Sequence, residues 1–392
     1  MLKATADLFL KHSTHRAIPT RYLTAAAELQ QDERLQSFRT QEADPSKHSK
    51  DHLAQFYTIP LSDRNVLFQH GGLPKTFQQH IKTFNETCLM VREPAVDIIN
   101  CLKSIDYDKP AVRFVLYGKN GTGKSISLAH VLHYAFKNKF LIVHVPWVGD
   151  FMRHCKDSSN SETREGFIDL NINAAAWLLH FRTQNAELLK NPDLKISRDI
   201  QWTKRESTAK DSSILELIEH GINRMRFASD CVNILAEEIK LLSNAGICKT
   251  LVAIDGFNEF FYPTTKVYTE KKEIVHPNKI TLTEGFLNLT KFDWKNAAVI
   301  VTVDEMTVKV HEEGTDPSMS HFPRFLLGKH GFEHLDPFLP VNVPLFSKKE
   351  HESIMDYFRE RRWVRPYPGQ DEELYFLSGG NPFTLLDYCK SL

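Results

Sequence analysis

The stretch Gly118-Lys119-Asn120-Gly121-Thr122-Gly123-Lys124-Ser125 fits the G-x-x-x-x-G-K-[ST] pattern without a gap. Each residue type has a chemical reason to be there. Glycines let the backbone curl so that its N–H groups point inward at an anion, where a Cβ would clash. The start of the following helix adds partial positive charge. Lys124 would reach the β- and γ-phosphates, and the Ser125 hydroxyl would ligate Mg²⁺. A glycine-rich turn that merely caps a helix is the alternative. The Gly, Lys and Ser residues in their required places weigh against it, so the segment predicts binding of a nucleoside triphosphate.

A second carboxylate-bearing position completes such a site. The apolar run 249–254 ends in Asp255, where P-loop enzymes place the carboxylate of the Mg²⁺ shell. The metal ligands expected are therefore Ser125 and Asp255. The residue after Asp255 is Gly256, not a glutamate able to activate water, and the catalytic assignment is left unknown. Glu259 lies nearby and is a weak candidate. Thr302 and Asp304 stand at the exit of another apolar run, where they either sense a γ-phosphate or cap a strand. Arg205, in the polar segment 202–208, is either a phosphate ligand in cis or a solvated charge.

These residues need a scaffold, and the pattern of apolar runs supplies one. Buried strands are predicted at 112–117, 140–145, 249–254, 297–303 and, shorter, at 340–345. Helical spacing follows the loop from Ile126, and long helices are expected at 171–190 and 213–243. A helix is expected over 75–89, and Pro94 suits the first turn of another reaching Ser104. Ser347-Lys348-Lys349-Glu350 is a capping box opening a helix to about Arg362. Five strands separated by helices, with the phosphate loop after the first, predict an α/β P-loop NTPase with a doubly wound five-stranded parallel sheet. Ligand would sit at the carboxyl ends of the strands.

The organisation expected is a presequence (1–27), an extended polar arm (28–73), a P-loop core (74–346) and a small helical lid (347–392). Residues 1–27 contain Lys3, Lys11, Arg16 and Arg21 but a single acid, Asp7. Basic, hydroxylated and potentially amphipathic, they match a mitochondrial presequence, the alternative being an ordinary frayed terminus. The 392 residues suffice for one large domain with appendages or for two domains. Lys plus Arg and Asp plus Glu both total 49, so a protein coating nucleic acid with its whole surface is excluded and any such contact is local. No apolar run approaches the ~18 residues of a membrane span. The six cysteines are scattered without a C-x-x-C pair, which argues against zinc and disulfides and for a reducing compartment.

Two short motifs resemble the flanking elements of STAND-type relatives of AAA+ ATPases: Val91-Arg92-Glu93, and Gly380-Asn381-Pro382-Phe383. The resemblance implies that Val91 and Arg92 lie near the nucleotide base and that Pro382 contacts it from the lid. The segments 84–92, 202–208 and 326–338 further resemble the death-associated protein 3 family, and the resemblance runs from about Leu73 to the C-terminus. It implies a GTP-binding component of the mitochondrial ribosomal small subunit, in its head near the large-subunit interface. Implied with it are GTP or GDP with Mg²⁺, neighbouring small-subunit proteins and rRNA, large-subunit contacts, the mitochondrial matrix, no membrane, and a link to apoptosis. Asn278-Lys279-Ile280-Thr281 departs from the N-K-x-D element of Ras-like proteins, so the base is unassigned and ATP fits a STAND-like lid equally. The reading is a structural ribosomal protein with slow or absent hydrolysis. An active STAND/AAA+-like switch or motor and an apoptotic adaptor are the alternatives.

Overall fold

A computed structural model describes residues 38–262, 265–308 and 321–390. The expected presequence lies outside the described residues. The central sheet has five strands: β1 (Val112–Tyr117), β2 (Leu141–Val145), β3 (Thr250–Ile254), β4 (Ala297–Thr302) and β5 (Leu339–Asn342). All pairings are parallel, and the spatial order is β5-β1-β4-β3-β2. The doubly wound parallel sheet expected from the apolar runs is the observed fold.

Residues on each strand alternate between two cores, as a period of two requires. Val115, Val143, Val252 and Val299 face one side, with the helices Asn171–Gln184, Ile214–Asn223, Ala228–Asn244 and Thr281–Leu289. Phe114, Ile142, Leu251 and Ile300 face the other, under the helices Glu93–Ser104 and Lys124–Lys137. Both faces are covered, which is why the central strands read as continuous apolar runs. β5 is an edge and carries Pro340, which an edge strand tolerates.

Three helical expectations are corrected, the first being the long helix expected over 171–190, which ends at Gln184. The helix expected over 75–89 ends at Phe84, because Asn85 turns left-handed (φ 55°). The chain then forms a strand, Cys88–Met90, antiparallel to Phe56–Thr58. The long helix expected over 213–243 is two helices, broken where Phe227 turns inward against Trp202 and His220. The polar segment 202–208 is, as expected, a connection anchored by its Trp: residues 202–206 turn between the strands Ile200–Gln201 and Ser207–Thr208, and Trp202 Nε1 donates to Thr208 Oγ1 at 2.8 Å.

Residues 38–73, expected as an extended arm, are folded onto the core. Tyr57, Ile59, Leu67 and Leu73 belong to the hydrophobic cluster beneath the helix Lys124–Lys137. His48 Nδ1 lies 2.8 Å from His130 Nε2 of that helix, and Lys137 pairs with Asp63 at 2.5 Å. The segment is polar on average, but its apolar residues are the ones that reach the core. At the other end, the helices Lys348–Glu360, Gln370–Ser378 and Pro382–Cys389 close over Phe38, Phe56, Cys88 and Met90 in a third cluster.

Candidate nucleotide-binding site

β1 delivers the chain into the loop at the carboxyl end of the sheet, where strand order reverses and ligands of such sheets bind. Gly118 (φ 141°) and Gly121 (φ 81°) adopt backbone that side chains resist. A Cβ on Gly118 would stand 2.5 Å from the Val343 carbonyl oxygen, and one on Gly121 would stand 2.6 Å from Asn381. Lys124 is buried at the helix start. Its Nζ donates to the Gly118 carbonyl at 2.9 Å and the Lys119 carbonyl at 3.0 Å. Burial lowers its pKa, and the nearby Asp304, Glu305 and Asp255 act the other way.

β4 lies between β1 and β3, so Thr302 stands between the loop and Asp255. Thr302 Oγ1 donates to Asp255, and the Gly256 N–H donates back to that hydroxyl at 2.9 Å. Desolvation of the partly buried Asp255 carboxylate raises its pKa, while hydrogen bonds from Ser125 and Thr302 hold it down. A hydroxyl and a carboxylate converging beside a phosphate loop suit a hard, oxygen-seeking cation, and Mg²⁺ takes few protein ligands when phosphate and water supply the rest. Ser125 and Asp255 would hold it. Among the described residues no cluster of three or more His, Cys, Asp or Glu could hold a metal alone.

A cavity of about 370 Å³ opens over the loop, within the range of small-molecule sites. Its polar end is formed by Asn120–Ser125, Asp255, Thr302 and Asp304, and its apolar end by Phe77, Ile81, Met90, Phe346, Tyr357 and Pro382. Gly121, Thr122, Gly123 and Pro382 thus line one cavity. Gly118 and Lys119 instead turn their carbonyls to Lys124.

Of the two residues expected near the base, Arg92 lines the cavity and Val91 does not. Val91 is fully buried in the core, because its N–H pairs with Gln55 and its side chain faces inward. Arg92 lines the cavity, but its guanidinium donates to Glu350 at 2.7 Å, to the Thr122 carbonyl at 2.6 Å and to the Pro344 carbonyl at 2.8 Å. It also lies over the Phe346 ring. Arg92 therefore ties loop to lid.

Glu259 is also displaced from its expected role. It is 1% exposed, ion-paired with Arg153 and hydrogen-bonded by Thr307 Oγ1 at 2.9 Å, and it does not line the cavity. Arg205 is exposed, and no residue of its hairpin lines the cavity. Sequence reasoning missed Trp147 and Glu305, and the loop contact of Asn381. Trp147 lines the cavity just past β2 and lies 3.1 Å from where a Cβ of Gly256 would be. Its place beyond a strand's carboxyl end was the available signal. Asn381 caps the last helix and donates to the Asn120 carbonyl at 2.8 Å.

The model of the family described as mitochondrial ribosomal death-associated protein 3 matches residues 89–388. The chain belongs to this family. It is 38% identical over 358 residues to the small ribosomal subunit protein mS29 of Bos taurus, covering 90% of this chain and 88% of the relative. The Mus musculus protein of the same name is 36% identical over 358 residues, covering 90% and 89%. Among solved structures, the Walker-type ATPase of Pyrococcus abyssi aligns over 76% of this chain and 65% of its own, at 17% identity and a TM-score of 0.35. The family match begins within the strand Cys88–Met90 and takes in the loop, Asp255, Thr302 and the lid contact at Pro382.

Proposed function

We propose that this chain is a component of the mitochondrial small ribosomal subunit that holds a purine nucleotide with Mg²⁺ as a fixed structural part. The ribosomal assignment and the matrix location follow from family membership. Residues 1–27 would carry the import signal, and small-subunit proteins and rRNA would be the neighbours. The head of the subunit, near the large-subunit interface, is the proposed site, and a link to apoptosis comes with the family.

The observation that carries the nucleotide reading is the convergence of Lys124, Ser125, Asp255 and Thr302 on one cavity. Backbone N–H groups and Lys124 would bind the phosphates, and Ser125 and Asp255 would hold the metal. Bound Mg²⁺ would offset phosphate charge. The apolar end would take the base: GTP or GDP by family, with ATP suiting the same walls. Hydrolysis would be slow or absent, because Gly256 bears no carboxylate and Glu259 is engaged by Arg153. A sucrose gradient of mitochondrial lysate, with nucleotide extracted from the small-subunit fractions, tests this. The chain should cosediment with the subunit, and the purified protein should turn nucleotide over far below the median of about 10 per second. Sedimentation apart from the subunit, or turnover near that median, would contradict it.

A further inference from the structure

One of the loop's own anion donors is already engaged by a carboxylate. The Asn120 N–H donates to Glu305 Oε2 at 2.7 Å. Glu305 opens a single turn, Glu305–Thr307, just past β4, and that turn is held from both sides. Before it, buried Asn258 grips Asp304: Nδ2 donates to the Asp304 carbonyl at 2.8 Å, and Oδ1 accepts from its N–H at 2.9 Å. After it, Thr307 Oγ1 donates to buried Glu259, itself paired with Arg153. The Glu259–Arg153 pair, which has no place in the cavity, thus anchors the turn that presents Glu305.

The position of this contact decides what it does. The donors at the helix start surround the inner phosphates of a P-loop ligand, and Lys124 extends toward the outer one. Asp304 and Asp255 line the cavity with Lys124, and Glu305 follows Asp304 in the chain and holds the N–H of cavity-lining Asn120. Ser125 and a metal would occupy Asp255. Asp304 and Glu305 would remain without a cation. The other cationic groups lining the cavity offer no help: Arg92 is bound to Glu350 and two carbonyls, and burial pushes the His80 imidazole down to about 4. A third phosphate would have to displace Glu305 from Asn120 and bring one more negative charge against two carboxylates. A diphosphate needs neither.

We infer that Glu305 is a specificity-determining residue that makes this site select a nucleoside diphosphate over the triphosphate. The inference rests on the reading that the loop holds a nucleotide. Isothermal titration of the full chain with Mg²⁺ and GDP, and with the non-hydrolysable imido analogue of GTP, tests it; the adenine pair is run alongside. The wild type should prefer the diphosphate by about tenfold or more, and Glu305→Ala should reduce that ratio by about tenfold. Glu305→Gln, which removes the charge at nearly constant shape, should shift the ratio the same way if the alanine variant melts early. Lys124→Ala should weaken both ligands together. Equal affinities in the wild type, or a ratio untouched in both Glu305 variants, would overturn the role of Glu305 and leave the loop reading standing. Loss of triphosphate hydrolysis in Glu305→Gln would also overturn it, by making the residue a base. Failure of the wild type to bind either ligand would bring down both readings.

Discussion

The two ends of the cavity are built in opposite ways. The end proposed to hold phosphate comes from one continuous octapeptide and two strand ends, and its groups are polar and mutually hydrogen-bonded. The base end is apolar and draws on residues near 77–90, 346–358 and 382–386. Phosphate is gripped by backbone groups whose geometry a short sequence can fix. A base is held by walls that form only when distant segments pack. Single residues should therefore matter greatly at the first end and little at the second.

The largest effect is expected at the seam. Arg92 joins the loop carbonyl of Thr122 to the lid through Glu350, with both side chains mostly buried (5% and 14% exposed). Arg92→Ala strands Glu350 and should lower stability by about 3–5 kcal/mol in urea unfolding. A loss under about 1 kcal/mol, the scale of an exposed pair, would show that loop and lid are not coupled there. Lys124→Ala comes next. It should abolish nucleotide retention, with a loss of about 2.7 kcal/mol of apparent stability for a ligand present at ~100 times its dissociation constant. An unchanged melting temperature in the presence of nucleotide would break the contrast between the two ends.

How much of this was legible follows the same division. The octapeptide, Asp255, Thr302 and the Ser347–Glu350 capping box announce themselves because each is a local pattern, and the structure brings Asn120–Ser125, Asp255 and Thr302 to one cavity and forms the capping box. Glu350 shows the limit. Its Oε2 completes the cap with the Ser347 N–H at 2.8 Å, while its Oε1 receives Arg92 from 258 residues away. Only the first role has a sequence signature. The folded state of residues 38–73 was hidden for a similar reason, since Tyr57 and Leu67 find their partners on the helix Lys124–Lys137 and not nearby in sequence. Glu305 reaches Asn120 across 185 positions, and no spacing rule joins them.

A third test separates metal from phosphate within the polar end. Asp255→Asn should weaken nucleotide binding about tenfold with Mg²⁺ and little in EDTA, since it touches the metal shell. Ser125→Ala should follow in the same direction. Burial raises the Asp255 pKa, so its contribution is present below the unfolded carboxylate value and is lost as pH rises through the raised one. Metal-free wild type should therefore lose stability across that window, Asp255→Asn should not, and Mg²⁺-nucleotide should reverse the trend by requiring the ionised form. A wild-type curve matching that of the variant would remove Asp255 from the account. The smallest effect is expected at the base end. Pro382→Ala should change affinity by less than about 1 kcal/mol, because several other apolar side chains share the contact. A larger loss would mean that the lid grips one particular base.

The central claim is that the nucleotide is part of the structure the ribosomal subunit is built from. It is tested most directly by expressing Lys124→Ala in place of the wild-type chain and measuring both protein and nucleotide in the purified small subunit. Wild-type particles should carry a purine nucleotide in stoichiometric amount with the chain, and the variant should be missing from mature particles. A Lys124→Ala chain fully incorporated into particles that contain no nucleotide would contradict the account.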